Sequence, residues 1–376
     1  MNKIPARTIR TDAARVARRV RHDGAGGGRR GTSAAAVARG ARRALAVAAV
    51  AGVLGACGSP QAATGNLTVR NCGVDQKFPS PAQRMFVNDG NLISMVLALG
   101  AAEQTVAVSS LKRDADTLRK HYGDGVDRLN SVAPDYPSRE TVLAQRPDMM
   151  VAGWNYGYSE SANLTPESLR AAGVAPYVLT ESCRRPGGER GVVDAWTALR
   201  TDLTALGAIT GRADQAARVT GDLDRRLSSL LAAPQPERRP TVFLFDSASD
   251  TVFSSGQYGA PQAILEAAGA RNALADVADT WTAVSWERLA AADPDAIVFV
   301  DYPPQTFQQK VDLLRGKPGI QNLRAVTQGR FLNLPYALWT SGPLNIDAAE
   351  QVRAQLERWN LVPASGIRPA ADDAVR

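Results

Sequence analysis

The chain has 376 residues with 44 Lys+Arg against 37 Asp+Glu, a formal charge of +7, which at face value suits a nucleic-acid or anionic-membrane partner. The excess is local: residues 1–56 hold 12 of the basic residues and only two acidic ones, Asp12 and Asp23, so the remainder has 32 basic against 35 acidic groups, a net of −3. No basic surface is left to bind nucleic acid, and the length leaves room for two domains.

Residues 1–56 read as a targeting signal and stand apart from the fold. Arg-rich sequence ending at Arg43 precedes the apolar run 44–54, too short to span a bilayer but suited to a signal-peptide core. Leu54-Gly55-Ala56-Cys57 then resembles the bacterial lipobox, whose cysteine is acylated and becomes the new N-terminus. An ordinary signal peptide that abuts a cysteine is the plainer alternative. With Cys57 carrying lipid, Cys72 and Cys183 remain in an exported, oxidising setting, which predicts one disulfide against the alternative of two buried thiols. His121 is the single histidine after residue 56, so a His-built metal site and a Ser-His-Asp triad are disfavoured and no cofactor is expected.

Residues 57–77 read as a polar tether, anchored to the membrane by lipid. An N-terminal lobe over 78–205 follows, with strands at 84–87, 105–109, 149–154 and 176–180. Its helices lie at 92–99, closed by Gly100, and at 165–173, capped by Thr165. Helix and strand in alternation predict a parallel-rich sheet with helices on both faces. Segments 192–206 and 214–231 carry apolar residues at helical spacing with no strand between, and 206–233 is assigned as a long connecting helix. A C-terminal lobe over 240–360 restarts the pattern, with strands at 241–246, 297–301 and 330–334 and helices at 262–268 and 347–359. Residues 361–376 read as a frayed tail. The fold class is therefore α/β: two doubly wound lobes joined by a long interlobe helix.

One phrase occurs twice. Ser138-Arg139-Glu140 leads through Pro147-Asp148 into an apolar strand, and Ser285-Trp286-Glu287 leads through Pro294-Asp295 into another, at a constant offset of 147 residues. Each serine can cap a helix, and each glutamate sits in the first turn, where the macrodipole favours an anion. Two matched copies imply two lobes built alike.

No Walker A sequence, G-x-S-x-G elbow, C-x-x-C or H-E-x-x-H occurs after the leader. What the chain offers is aromatic and polar residues just after strands, where doubly wound sheets bind ligands. The candidates are Asn88, Asp89, Trp154, Tyr156 and Tyr158 in the first lobe, and Gln257, Tyr258, Trp281, Tyr302 and Trp339 in the second. Rigid aromatics with a few amides and hydroxyls suit a bulky, planar or amphipathic ligand.

Taken together, Val96 to Gly100, Glu140 to Asp148, Leu206 to Arg212, Ile264 to Gly269 and Trp281 to Asp295 resemble the solute-binding lipoproteins of ABC importers for ferric siderophores, haem and cobalamin. The resemblance covers residues 72–360. It implies a binding protein and not an enzyme, held on the outer face of the cell membrane, with a permease dimer as partner. It also implies that Glu140 and Glu287, one per lobe, dock against permease arginines. One departure is the turn Asn91 to Ser94, amide-rich where many members have a glutamate. The Trp154 to Ser159 stretch with Thr180 to Cys183 resembles an actinobacterial subgroup, which adds a flavin-like coenzyme precursor to the possible ligands. The alternatives in other classes are an exported enzyme and a ligand sensor on the same scaffold.

Overall fold

The computed structural model describes residues 65–375; the signal, the lipobox and Cys57 lie outside them. The chain enters as a hairpin, β1 (Gly65–Asn71) and β2 (Val74–Ser80), in the stretch expected to be a tether. Two features close it. Cys72 and Gly73 occupy the two-residue loop between the paired Asn71 and Val74, with φ of 50° and 77°, the double positive φ that a type I′ turn needs. Its tip is also tied down: the Asn71 side chain donates to the Val178 carbonyl at 2.8 Å and accepts from the Val178 amide at 2.9 Å, as a strand would. The tether reading of 65–77 is corrected accordingly; mixed polarity along β1 and β2 concealed strands whose outer face meets solvent.

The N-terminal lobe follows, with β3 (Met85–Asn88), β4 (Thr105–Ser109), β5 (Ser131–Ala133), β6 (Met149–Trp154), the two-residue β7 (Gly157–Tyr158) and β8 (Ala175–Val178). β5-β4-β3-β6-β8 pair in that order, all parallel, with β7 also against β6. Its helices are α1 (Gly90–Ala98), α2 (Ala115–Tyr122), α3 (Arg139–Ala144) and α4 (Pro166–Ala171). α5 (Ala195–Ile209) and α6 (Ala213–Ala232) come next, separated at Gly211, whose φ is 70°. The connecting helix is thus α6 alone, and residues 206–209 belong to α5.

In the C-terminal lobe β9 (Thr241–Phe245), β10 (Ser247–Ala248), β11 (Val252–Ser255), β12 (Arg271–Asn272), β13 (Trp281–Val284), β14 (Ala296–Asp301) and β15 (Phe331–Pro335) form two sheets. One is parallel, β12-β9-β14-β15; the other is a small antiparallel β10-β11-β13. The helices are α7 (Ala260–Ala267), α8 (Trp286–Ala292), α9 (Phe307–Gly316), α10 (Arg324–Thr327) and α11 (Asn345–Arg358).

Alternation along the strands sets the layers. Val87, Val151, Leu244 and Val298 face one continuous core shared with α5, α6, α7 and α11, whereas Phe86 and Met150 face α3 and α4, and Phe243 and Phe299 face α8 and α9. Both lobes therefore pack onto one helical layer. The repeated Pro-Asp has one role in each: Asp148 accepts from the Gln83 and Arg84 amides (2.8 and 3.0 Å) and Asp295 from the Thr241 amide (2.8 Å), fixing the start of the strand that leads each sheet.

The C-terminal segment is not frayed. Val362 and Asp373 are buried, and the Asp373 carboxylate accepts from Lys120 at 2.9 Å and His121 at 3.1 Å on α2, and from Gln351 on α11 at 2.9 Å. Burial raises the Asp373 carboxyl, but the hydrogen bonds from His121, Lys120 and Gln351 more than offset it and hold it down at about 2. The backbone of Val375 further donates to Asn333 at 3.0 Å. Polar composition signalled fraying, but the polar groups are spent on the α2 and α11 contacts.

Cys72 and Cys183 are joined, with their Cα atoms 5.3 Å apart and 111 residues between them in sequence, so the hairpin tip is fixed to the loop after β8. Replacing both by serine is expected to lower stability by about 2–4 kcal/mol. Denaturant midpoints under non-reducing conditions check this, and a midpoint unmoved from the wild type would show that the link does not constrain the chain.

Candidate functional site

The carboxyl ends of β3, β4, β6, β9, β14 and β15 meet at a cleft between the lobes, at the switch point of each sheet. A cavity of about 320 Å³ lies there. The N-terminal lobe lines it with Tyr136, Tyr156 and Arg190; the C-terminal lobe adds Asp246, Phe253, Thr280, Trp281, Tyr302 and Tyr336. Trp281 stacks on Phe253 with ring centroids 6.2 Å apart, and Tyr302 packs on Tyr336 at 4.9 Å. A larger groove of about 600 Å³ runs along α1, α2, α6 and α11, but it stands away from the strand ends and its Arg226 is already paired with Asp347 and Glu350. The cleft is the candidate site.

Its floor is a buried charge cluster. Asp89 caps α1 with its carboxylate on the Gly90 amide (2.9 Å), at φ 76° and ψ 147°, a backbone region that favours glycine. The same carboxylate pairs with Arg113 and accepts from the hydroxyls of Tyr136 (3.2 Å) and Tyr336 (3.4 Å). Arg113 also pairs with Asp114 at 3.2 Å and lies over the rings of Tyr336 (4.1 Å) and Tyr302 (4.9 Å). One guanidinium from the first lobe is thus gripped by two tyrosines of the second. Burial opposes its charge, and Asp89 and Asp114 more than offset this, so its pKa is raised. Asp114 is pushed up to about 7 by burial, with Asp89 adding to the effect and Arg113 opposing it.

A second crossing lies at the rim. Glu181, in the turn after β8, accepts from the Ala260 amide at the start of α7 at 3.1 Å, and burial pushes its carboxyl up to about 7. Beside it Gly191 has φ 67°, and a Cβ there would stand 2.4 Å from Cγ2 of Thr280 in the other lobe. Only glycine allows that approach.

Of the residues expected at a ligand, Tyr156, Trp281 and Tyr302 line the cavity and Asp89 forms its floor. Asn88 lies beneath, donating to the Tyr156 carbonyl at 2.7 Å and accepting from Ser109 at 2.8 Å, so it positions Tyr156. Trp154 sits outside the cavity under the Arg184 guanidinium at 3.7 Å. Gln257 and Tyr258 are half-buried just before α7, their amides on the carbonyls of Val277 and Asp279. Two expectations fail. Tyr158 is fully buried with its hydroxyl on the carbonyls of Met150 and Tyr177, both at 3.1 Å, and Trp339 is fully buried in the shared core. Each follows a strand end, but its ring turns inward to fill apolar volume. Reading aromatics and amides passed over Arg113, Tyr136, Arg190 and Asp246. Arg113, Tyr136 and Asp246 stand within a few residues after β4, β5 and β9, where the same strand-end rule would have found them.

Residues 89–338, well over half of the chain, match the family model described as periplasmic binding protein. No curated protein matches the sequence. Among solved structures, a periplasmic binding protein from Veillonella parvula is 22% identical with a TM-score of 0.65, covering 78% of this chain and 97% of that one. An ABC-type Fe3+-hydroxamate transport system from Saccharomonospora viridis is 22% identical at 0.64, covering 77% and 98%. A periplasmic heme binding protein from Pseudomonas aeruginosa is 25% identical at 0.58, covering 78% and 95%. With two α/β lobes around a cleft at their strand ends and a family match running through both, the chain belongs to the periplasmic binding protein family, whose members bind solutes outside the cytoplasm and are not enzymes.

Proposed function

We propose that the protein is lipid-anchored through Cys57, captures an iron-siderophore-like or cobalamin-like ligand between its lobes, and delivers it to the permease dimer of an ABC importer. The observation that carries this reading is the aromatic cavity at the strand ends, walled from both lobes and spanned by Arg113. The names of the Saccharomonospora and Pseudomonas proteins support the ligand class. The delivery step is supported by Glu140 and Glu287. Each is exposed, each lies in the first turn of an outer helix whose serine cap accepts a backbone amide, at 3.1 Å for Ser138 and 3.3 Å for Ser285, and there is one on each lobe. Backbone amides and those serines lower both pKa values, so both side chains stay anionic. Among the described residues no helix is long and apolar enough to cross a membrane.

Trp281 in the cavity wall supplies the readout. Titration of the purified protein with a ferric hydroxamate, haem, cobalamin and a flavin is expected to give saturable fluorescence quenching by one class, with the compound recovered unchanged. Recovery of a chemically altered compound would establish the enzyme reading instead.

A further inference from the structure

The cleft contains two arginines in different states. Arg113 is satisfied: two carboxylates and two tyrosine faces surround it. Arg190 lines the same cavity, half-buried, and among the described residues its guanidinium has no ion pair and no side-chain hydrogen bond. Glu181 feels the Arg190 charge but makes its hydrogen bond to the Ala260 amide, at 3.1 Å. The donors of a half-buried guanidinium with no direct partner are free, and a bidentate carboxylate or phosphate is their natural complement.

Arg190 is also held in place. The next residue, Gly191, donates to the Glu181 carbonyl at 2.8 Å and abuts Thr280 of the other lobe, while the segment begins at Cys183, tied to Cys72. Such fixing from both ends presents a charge at little conformational cost. Beside it Tyr156 and Trp281 offer flat apolar surface, and across the cleft Asp246, on which Ser247 bears, offers an acceptor from the second lobe. The cavity, at about 320 Å³, lies at the small end of the range for ligand sites, roughly 300–1,000 Å³.

Resting on the binding-protein reading, we infer that the cleft selects a small, flat ligand, or the flat portion of a larger one, that carries a carboxylate or phosphate, and that Arg190 reads that charge. Matched pairs test this by tryptophan quenching: riboflavin against riboflavin 5′-phosphate, and ferrioxamine B against its N-succinyl derivative. In at least one pair the anionic member is expected to bind about ten-fold tighter or more. Arg190→Gln should bring that ratio to one, with an unchanged circular dichroism spectrum and thermal midpoint showing that the variant is folded, and Arg190→Lys should retain part of the preference. Equal binding within both pairs, or a preference that survives Arg190→Gln, overturns the inference. Either outcome leaves the binding-protein reading standing; if haem or cobalamin, each with a flat macrocycle and an anionic group, is the one compound that binds, Arg190→Gln should weaken it about ten-fold, and an unchanged affinity overturns the inference. If no compound binds, both fall.

Discussion

Reversing both of the charges proposed to dock, Glu140→Lys with Glu287→Lys, is expected to reduce uptake through the cognate permease by at least a hundred-fold and to leave ligand affinity unchanged. The two side chains are fully solvent-facing, on α3 and α8, and those helices cover the sheet faces turned away from the shared core. The cleft is therefore untouched by the change. Folding survives it too: a lysine in the first turn opposes the helix dipole, at a cost of about 0.3–1 kcal/mol per site. At a permease surface the effect is far larger, because a like-charge contact replaces an attractive one and costs several kcal/mol. A two-fold partner meets both lobes at once, so either single reversal should lose only about ten-fold, the remaining pair still setting the register. Proteoliposome uptake at low and physiological salt measures all three variants, and the single-variant losses should shrink as salt rises. Undiminished uptake by the double variant would remove Glu140 and Glu287 from the docking surface.

How much of this was legible depended on whether a residue's role is local or assembled. The repeated helix-strand unit was local: serine caps, first-turn glutamates and Pro-Asp exits are fixed by neighbours in sequence, and they recur in space as written. Buried parallel strands such as Met149–Trp154 and Ala296–Asp301 announce themselves by continuous apolar runs. The β1–β2 hairpin did not, because its alternation is weak and its turn uses Cys-Gly where Asn-Gly is the usual signal. The cavity wall was half legible. Strand-end position found Tyr156 and Tyr302, whereas Trp281 opens β13 instead; nor can position say which way a ring points, and Tyr158, one strand residue beyond Gly157, turns into the core. Arg190 follows no strand closely; its place comes from a disulfide and a glycine contact to the opposite lobe.

Asp89 supplies the largest expected effect on stability. Asp89→Ala leaves Arg113 buried with Asp114 as its one carboxylate and deprives the Tyr136 and Tyr336 hydroxyls of their acceptor. Breaking a buried pair from one side costs about 3–5 kcal/mol. Alanine keeps the backbone at φ 76°, ψ 147°, whereas Asp89→Gly relieves it, so glycine should be the milder substitution by about 1–3 kcal/mol. The pH dependence separates charge from backbone. In the wild type the folded pKa of Asp114 is raised to about 7 from an ordinary value of 3.8, so the folded state holds the extra proton. Its contribution is greatest below pH 4 and is lost as pH rises towards 7. Without the Asp89 charge, Asp114 loses a like-charged neighbour and has Arg113 to itself; its pKa falls, and the decline in stability between pH 4 and 7 flattens in both variants. Chemical denaturation across that range reads both quantities. If alanine and glycine prove equally destabilising, the backbone at Asp89 is not strained; if the wild-type slope persists in both, Asp114 does not titrate against Asp89.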